Sequence, residues 1–197
     1  ENVYTIEYEL NGGTLADKVD KYTVTDKVVL GMPVKEGYTF LGWIGTDLGE
    51  TPVENVVIQN QTGNRKYTAV FKANIYTITL NANGGEGTST ISATFGTTVR
   101  LTNDGKIIYK GMNLIGWNTE ADGSGKMYKP NQEIEYIEAG NITLYAMWTS
   151  LITLDAGDHG VVEGDVPRIV KDQARYQIPV PTTDEYLFFL GWYVGKQ

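Results

Sequence analysis

The chain has 197 residues, of which 41% are hydrophobic, and its net charge is −8. That size suits one or two globular domains. Negative charge without any Lys/Arg cluster argues against nucleic-acid binding and against attraction to an anionic membrane surface. The absence of cysteine excludes disulfides, thiolate metal sites and a cysteine nucleophile. The longest apolar run is shorter than the roughly 20 residues of a membrane span, so we expect no membrane insertion in this segment.

The first stretch alternates in the manner of a half-buried strand. Within residues 3–10, Tyr4, Ile6 and Tyr8 share one face, and polar residues share the other. This pattern, with β-branched and aromatic residues, predicts a strand. Asn11-Gly12-Gly13 follows, and Asn-Gly is a strong hairpin signal. Residues 22–25 and 28–30 then predict a broken second strand.

The next strand contains the segment Gly37-Tyr38-Thr39-Phe40-Leu41-Gly42-Trp43. Simple alternation places Leu41 and Trp43 on one face and Phe40 on the other. Since both faces are largely apolar, we expect a central strand. Gly42 has no side chain beside a large indole, which predicts close approach of another backbone or ring. Residues 66–71 predict a last strand.

The same pattern recurs along the chain. Trp43, Trp117 and Trp192 follow one another at intervals of 74 and 75 residues. Each is preceded by glycine, and each follows a turn segment; these segments are Asn11-Gly12-Gly13, Asn83-Gly84-Gly85 and Asp158-His159-Gly160. Two markers held in step indicate an internal repeat.

The repeat divides the chain into module 1 (1–73), module 2 (74–149) and module 3 (150–197). The third is divergent and stops shortly after Trp192, so we expect it to be completed by further chain or by self-association. Very short linkers predict a stiff array. Residues 15–20 and 132–138 could each form one helical turn, but neither has a helical period. The expected fold class is mainly β, α+β at most.

These residues resemble the Listeria–Bacteroides repeat, the B-repeat of internalin B and of many bacterial surface proteins. The resemblance lies in a Tyr-Thr-Ile strand, the Asn-Gly-Gly turn, Gly-Tyr-Thr-Phe-Leu-Gly-Trp in module 1 and Leu-Tyr-Ala-Met-Trp in module 2. It implies tandem small β-grasp-like sheets in which the first and last strands lie side by side. It also implies stalk or spacer modules on extracellular proteins, and no catalytic residues.

Chemical sites find little support in the sequence. The Asn-Gly-Gly turns are followed by no helix that could complete a phosphate site. Asp155, Asp158 and Asp165, with the lone His159, lack the spacing of a calcium loop. No Gly-x-Ser-x-Gly segment is present, and one histidine leaves little for triad chemistry. We therefore expect no catalytic, metal or cofactor site and no enzyme activity.

The repeated tryptophans could be core residues or a sugar-stacking platform. Repetition at one strand position favours core packing for the three Gly-Trp pairs: Gly42-Trp43, Gly116-Trp117 and Gly191-Trp192. Four tyrosines outside the repeated positions are better candidates for exposed rings: Tyr22, Tyr109, Tyr128 and Tyr136. We take Tyr109 and Tyr128 as candidate ligand contacts.

Three functions remain open from the sequence. The first is a non-catalytic stalk of a secreted or surface-anchored bacterial protein, with weak adhesive contacts. The second is a module that binds carbohydrate or a host protein. The third is an accessory region of a larger extracellular enzyme. In each case the expected partner is an extracellular protein or glycan, with no nucleic acid and with self-association through module 3 as a further option.

Overall fold

The structure is a computed structural model that describes residues 1–150 and two short strands, Gly160–Val161 and Thr182–Thr183, which pair antiparallel. Every regular element in the described residues is a strand, so the predicted mainly β fold is confirmed. Gly191 and Trp192, the acidic residues around His159 and the self-association predicted for module 3 lie outside the described residues.

Module 1 forms six strands: β1 (Tyr4–Glu9), β2 (Lys21–Tyr22), β3 (Lys27–Val29), β4 (Tyr38–Gly45), β5 (Val57–Gln59) and β6 (Arg65–Ala73). One sheet has the order β2-β1-β6-β4, and β3 pairs with β5. β1 runs parallel to β6, from Ile6 opposite Arg65 to Glu9 opposite Thr68. The first and last strands therefore lie side by side, as the resemblance implies.

Module 2 forms seven strands: β7 (Ile75–Asn81), β8 (Thr88–Thr94), β9 (Thr98–Arg100), β10 (Met112–Asn118), β11 (Met127–Tyr128), β12 (Glu133–Glu135) and β13 (Ile142–Ser150). One sheet has the order β11-β10-β13-β7-β8, and β9 pairs with β12. The first strand, β7, and the last strand, β13, are again neighbours.

Contacts between Cα atoms divide the chain into two compact units. The first contains Glu1–Ile78, Ile91–Arg100 and Glu133–Ile142; the second contains Thr79–Thr90, Leu101–Gln132 and the chain from Thr143 onward. The first unit thus includes segments that the sequence assigns to module 2. The module boundary between residues 73 and 74 stays a prediction about the repeat.

The core of the first unit lies under the inner face of β1 and β6. Along β1 the exposure alternates as the sequence predicts, with Ile6 buried between exposed Thr5 and Glu7. The buried cluster also holds Trp43, and it comprises Ile6, Tyr22, Val28, Leu30, Trp43, Val56, Ile58, Tyr67 and Ala69. Burial of this apolar area is the main favourable term for so small a sheet.

The strand that carries Trp43 is not central in module 1. β4 is at the end of its sheet, and its free side meets only the Trp43–Val53 bridge. A bulge between Phe40 and Gly42 shifts the register against β6. Phe40 and Trp43 therefore pack together, with ring centroids 5.5 Å apart, while Leu41 is exposed. The prediction that Leu41 and Trp43 share a face was wrong, because the extra residue of the bulge reverses the alternation of faces along the strand.

Three other expectations need correction. The broken second strand is two strands of different sheets, since β2 pairs with β1 and β3 with β5. The turn after β1 does not close a tight hairpin, because β2 begins only at Lys21. In module 2 the equivalent turn does join neighbouring strands, β7 and β8. Residues 15–20 and 132–138 form no helix, and the latter include β12.

Truncation of either buried tryptophan tests the core. Trp43→Ala and Trp117→Ala should each lower the free energy of unfolding by about 3–5 kcal/mol, because a large ring is removed from a packed site. Urea denaturation followed by circular dichroism measures this cost. Leu41→Ala, at an exposed position on the same strand as Trp43, is the control and should change stability by less than about 0.5 kcal/mol. Losses under about 1 kcal/mol for both tryptophan variants would contradict a core role.

Candidate functional site

The Gly-Trp pair is a packing device in both described modules. At Gly42 the backbone of Val53 crosses so closely that an added Cβ would lie 2.6 Å from its carbonyl carbon. Gly116 meets the backbone of Tyr128 in the same way. Both tryptophans that follow are 0% exposed. A fully enclosed indole has no face for a sugar, so Trp43 and Trp117 are core residues.

The two indole N–H groups are treated differently. Trp43 Nε1 donates to the carbonyl of Gly31 at 3.2 Å. Trp117 Nε1 is buried and has no hydrogen-bond partner among the described residues. A buried donor without a partner is costly. The indole N–H of the core tryptophan is therefore hydrogen-bonded in module 1, whereas in module 2 it has no partner among the described residues.

The Asn-Gly-Gly turns have a second role that the sequence did not reveal. Asn11 and Gly12 have φ of 47° and 81°, and Asn83 and Gly84 have 47° and 93°, so both turns have the two positive φ values of a type I′ turn. Asn11 Nδ2 donates to the carbonyl of Ala69 at 2.8 Å. The asparagine thus fixes the turn and also ties it to the last strand.

Module 2 repeats this tie. Asn83 Nδ2 donates to the carbonyl of Ala146 at 3.0 Å and to that of Ala121 at 2.8 Å. Ala69 and Ala146 are equivalent positions on β6 and β13, and both are fully buried. The recurrence of asparagine at a fixed spacing from the tryptophan was the available signal.

The second glycine of each turn lies under an aromatic ring. An added Cβ at Gly13 would lie 2.8 Å from Phe71 Cζ, and at Gly85 3.0 Å from Trp148 Cζ2. Trp148 Nε1 also donates to the carbonyl of Ala82 at 2.7 Å. The aromatic residue near the end of the last strand therefore covers the turn, and the second glycine leaves room for it.

Of the four tyrosines, two are buried. Tyr22 and Tyr136 are only 2% and 1% exposed, so their predicted exposure was wrong. The hydroxyl of Tyr22 donates to the carbonyl of Gly63 at 2.6 Å, and that of Tyr136 donates to Gly140. Both rings also contact a tyrosine at the start of the first strand: Tyr4, the first residue of β1, and Tyr76, the second residue of β7. Two residues at non-equivalent positions thus close the same end of the sheet.

The two candidate ligand contacts do not form one surface. Tyr109 is 38% exposed, and its ring meets Trp148 edge-on at 5.7 Å. Tyr128 is half-buried opposite Trp117 on the neighbouring strand, with Lys126 Nζ 5.0 Å from its ring centre. Within the described part of the chain, no ring contact joins Tyr109 to Tyr128. Their role in ligand binding stays a prediction.

In module 1 a polar cluster surrounds Arg65. The Arg65 side chain is 5% exposed and lies 2.7 Å from Asp47 Oδ2, and its Nε donates to Tyr22 Oη at 2.9 Å. Burial opposes the charge, but hydrogen bonds to Tyr67, Asp47 and Tyr22 outweigh it and hold the pKa of Arg65 above its usual value. A guanidinium that stays charged cannot act as a general acid or base near neutral pH, so the cluster fits a structural role. β13 begins with Ile142 where β6 begins with Arg65.

The described residues contain no group of three acidic or histidine side chains arranged to hold a metal ion. Nor does any helix there have the length and apolar character needed to cross a bilayer. One surface depression in the first unit is formed by β4, by the ends of β6 and β7, and by the residue between them: Thr39, Leu41, Lys72, Ala73, Asn74 and Ile75. Leu41 and Ile75 are 43% and 63% exposed there.

The link between β6 and β7 is one residue, Asn74, and it is held on several sides within the first unit. Its N–H donates to Gly37 O at 2.9 Å, and its carbonyl accepts from Phe95 N at 2.9 Å. Its side chain bonds to the hydroxyls of Thr39 and Tyr76. A residue with its backbone and side-chain groups all bonded is not a flexible linker.

The turn that follows β8, which contains Phe95, also packs against this link. Phe95 meets Tyr38 edge-on, with ring centroids 5.5 Å apart, and lies directly over Gly37. Gly37 has a φ of 76°, so a side chain there would be strained and would also collide with the phenyl ring. Glycine at this position of module 1 is required by the link as well as by the turn.

Taken together, these features define a tandem β-repeat protein, in which each repeat is organised by a turn, a Gly-Trp pair and an aromatic-ended last strand. The chain belongs to the Listeria-Bacteroides repeat domain family, whose model matches residues 4–66 and 76–147. The two matches fall within modules 1 and 2, and the third module lies outside both.

Two relatives come from Evansella cellulosilytica. One, named "Putative membrane protein", is 31% identical over 157 residues, which cover 76% of this chain and 23% of that protein. The other, named "Putative Gly-rich membrane protein", is 26% identical over 199 residues, which cover 99% of this chain and 22% of that protein. This chain therefore spans about a quarter of the length of these relatives.

A charge placed at the turn asparagine tests its tie to the last strand. Asn11→Asp replaces the donor with an oxygen that faces the Ala69 carbonyl, and it should cost about 1–3 kcal/mol at neutral pH. Asn83→Asp should behave alike. Asn60→Asp is the matched control, because Asn60 has a φ of 55° and is exposed with no side-chain hydrogen bond in the described chain.

The loss should shrink at acid pH. The introduced carboxyl faces an acceptor, so its folded-state pKa is raised, and the protonated form can donate to Ala69 O. The difference in unfolding free energy from the parent, measured by urea denaturation, should therefore be smaller at pH 3 than at pH 7. A loss equal to that of Asn60→Asp at both pH values would show that the tie contributes nothing.

Tyr8 predicts a loss of stability in alkali. Burial, helped by Asp20 and Tyr67, raises the pKa of Tyr8 from 10.0 to about 12. A raised folded-state pKa stabilises the fold below the unfolded value, and this contribution disappears as the pH rises from 10 through 12. The free energy of unfolding should therefore fall less steeply over that range in Tyr8→Phe than in the parent. The exposed-ring variant Tyr109→Phe is the control, and equal slopes in Tyr8→Phe and the parent would contradict the assignment.

Proposed function

We propose that this chain is a non-catalytic stalk segment of a bacterial cell-surface protein. The observation that carries the proposal is the link at Asn74, where the last strand of one repeat passes into the first strand of the next with a single, fully bonded residue between them. A segment that serves to hold other domains at a distance needs joints that resist bending.

Three further points support this proposal. The repeated residues in the described chain, which are the Gly-Trp pair, the turn and the aromatic end of the last strand, all serve internal packing. Among the described residues, no group of three histidine, aspartate or glutamate side chains is placed to hold a metal ion. The relatives carry the names of membrane proteins, which fits an envelope location for the longer proteins in which such repeats occur.

A binding role for the array is the competing function. The observation that favours it is Tyr109, whose exposed ring beside Trp148 differs from the cationic Lys35 at the equivalent position of module 1. Lys35 instead donates to the carbonyl of Asn11 and covers the Phe71 ring at 5.7 Å. A single exposed ring is a small platform, so we rank glycan or host-protein binding second.

Surface display distinguishes the two functions. The chain is placed between an outer-surface anchor and a distal epitope tag on a bacterial cell, and antibody staining of the tag is measured. Deletion of the chain should reduce staining. A stalk acts through its length, so two folded domains of an unrelated protein, joined in tandem in its place, should restore the staining to the same level. Staining that is unaffected by deletion would contradict the stalk.

The same cells report on binding. A stalk predicts no saturable signal on a glycan array or with host extracellular-matrix proteins. Selective binding that is lost in Tyr109→Ala, with an unchanged melting temperature, would make the array a binding module instead. The unrelated tandem is the negative control on the glycan array and with the matrix proteins.

A further inference from the structure

We propose that the parallel pairing of the first and last strands makes each of the two described repeats a mechanical clamp that resists tension along the chain. The clamp of module 1 consists of β1 and β6, with four partner pairs from Ile6–Arg65 to Glu9–Thr68. That stalks experience tension rests on the proposed function, whereas the clamp itself follows from the strand geometry.

The direction of load decides the resistance. The chain enters module 1 at the start of β1 and leaves at the end of β6. Because the two strands are parallel, these points are at opposite ends of the pair, and tension slides one strand along the other. The hydrogen bonds of the ladder lie across the strands, so they are loaded together. Peeling from one end would instead break them one at a time.

Side chains tie both ends of the same pair. At the entry end, Asn64 Oδ1 accepts from the N–H of Thr5 at 3.0 Å. At the far end, the turn asparagine Asn11 holds the carbonyl of Ala69. Between them, Lys66 and Glu7 are direct partners and form an ion pair at 2.8 Å. An exposed ion pair adds little to equilibrium stability, but here it also spans the sliding surface.

Module 2 has the same arrangement. Thr77 N donates to Asn141 Oδ1 at 2.8 Å, next to the start of β13. Asn83, just after β7, bonds to the carbonyl of Ala146 further along β13. The starts of β7 and β13 therefore lie next to each other, and so do their far ends, which is the parallel orientation. With only Asn74 between β6 and β7, tension on one clamp passes directly to the next.

Single-molecule force spectroscopy tests the clamp by changing only the pulling direction. The chain has no cysteine, so two introduced cysteines define the points of attachment. Val3→Cys with Lys72→Cys pulls at opposite ends of the β1–β6 pair and shears it. Val3→Cys with Thr62→Cys uses the same first handle but pulls at the entry end of both strands, so it peels them apart. All three positions are exposed.

At one pulling speed, the shear pair should rupture at about twofold higher force or more than the peeling pair. The extension released in shear should correspond to residues 3–72 at about 3.3–3.6 Å per residue, which identifies the event as unfolding of module 1. Equal rupture forces in the two geometries, with unchanged melting temperatures, would overturn the clamp.

The outcomes separate this inference from the stalk. Equal rupture forces with normal display staining would remove the clamp and leave the stalk. A higher shear force with staining that is indifferent to deletion would keep the clamp and remove the stalk. Asn11→Asp in the shear pair adds a residue-level test, because loss of the far tie should lower the rupture force towards the peeling value, and an unchanged force would remove Asn11 from the clamp.

Discussion

The core of each described repeat depends on the close passage of one backbone over the glycine that precedes the buried tryptophan. At Gly42 the crossing segment is Val53, and at Gly116 it is Tyr128. A methyl group at either glycine would push the crossing segment off the strand and open the site that the indole fills. The bulge at Gly42 follows from the same constraint, because it lets Phe40 and Trp43 reach the core together. The same crossing covers the free side of β4, which is the edge strand of its sheet.

The two repeats meet equal geometric demands with different residues. The hydroxyl that closes the entry end of the sheet comes from Tyr22 in β2 and from Tyr136 after β12, yet both bond to the glycine just before the asparagine of the last strand. The ring over the turn is Phe71 in one repeat and Trp148 in the other. The repeats are therefore more alike in structure than their sequences indicate, because the same hydrogen bond is donated by tyrosines at different positions of the two repeats.

This explains which parts could be predicted from the sequence. The β1 strand, the turn at Asn11-Gly12 and the burial expected of Trp43 depend on local alternation and on residue types with one strong preference. The structure agrees with them, except that the turn closes no hairpin in module 1. The pairing of β3 with β5, the bulge in β4 and the burial of Tyr22 depend on which distant segment arrives at a position. No local pattern contains that information. The tie from Asn11 to Ala69 was missed because positive φ alone already explained the asparagine.

Where the repeats agree and where they differ bears on function. The shared residues make internal contacts: the glycine crossing, the buried indole, and the turn asparagine, whose side chain holds the carbonyl of a buried alanine. The repeats differ at Lys35 and Tyr109 over the turn, and they also differ at the start of the last strand, where one repeat has the buried Arg65 and the other has Ile142. An array that presented the same ligand surface in each repeat would keep its outer residues alike, whereas an array selected for its joints and strand pairing would keep its inner ones. The contacts that the described repeats share fit the second kind of array, which is the stalk that we propose, with Asn74 as its bonded joint.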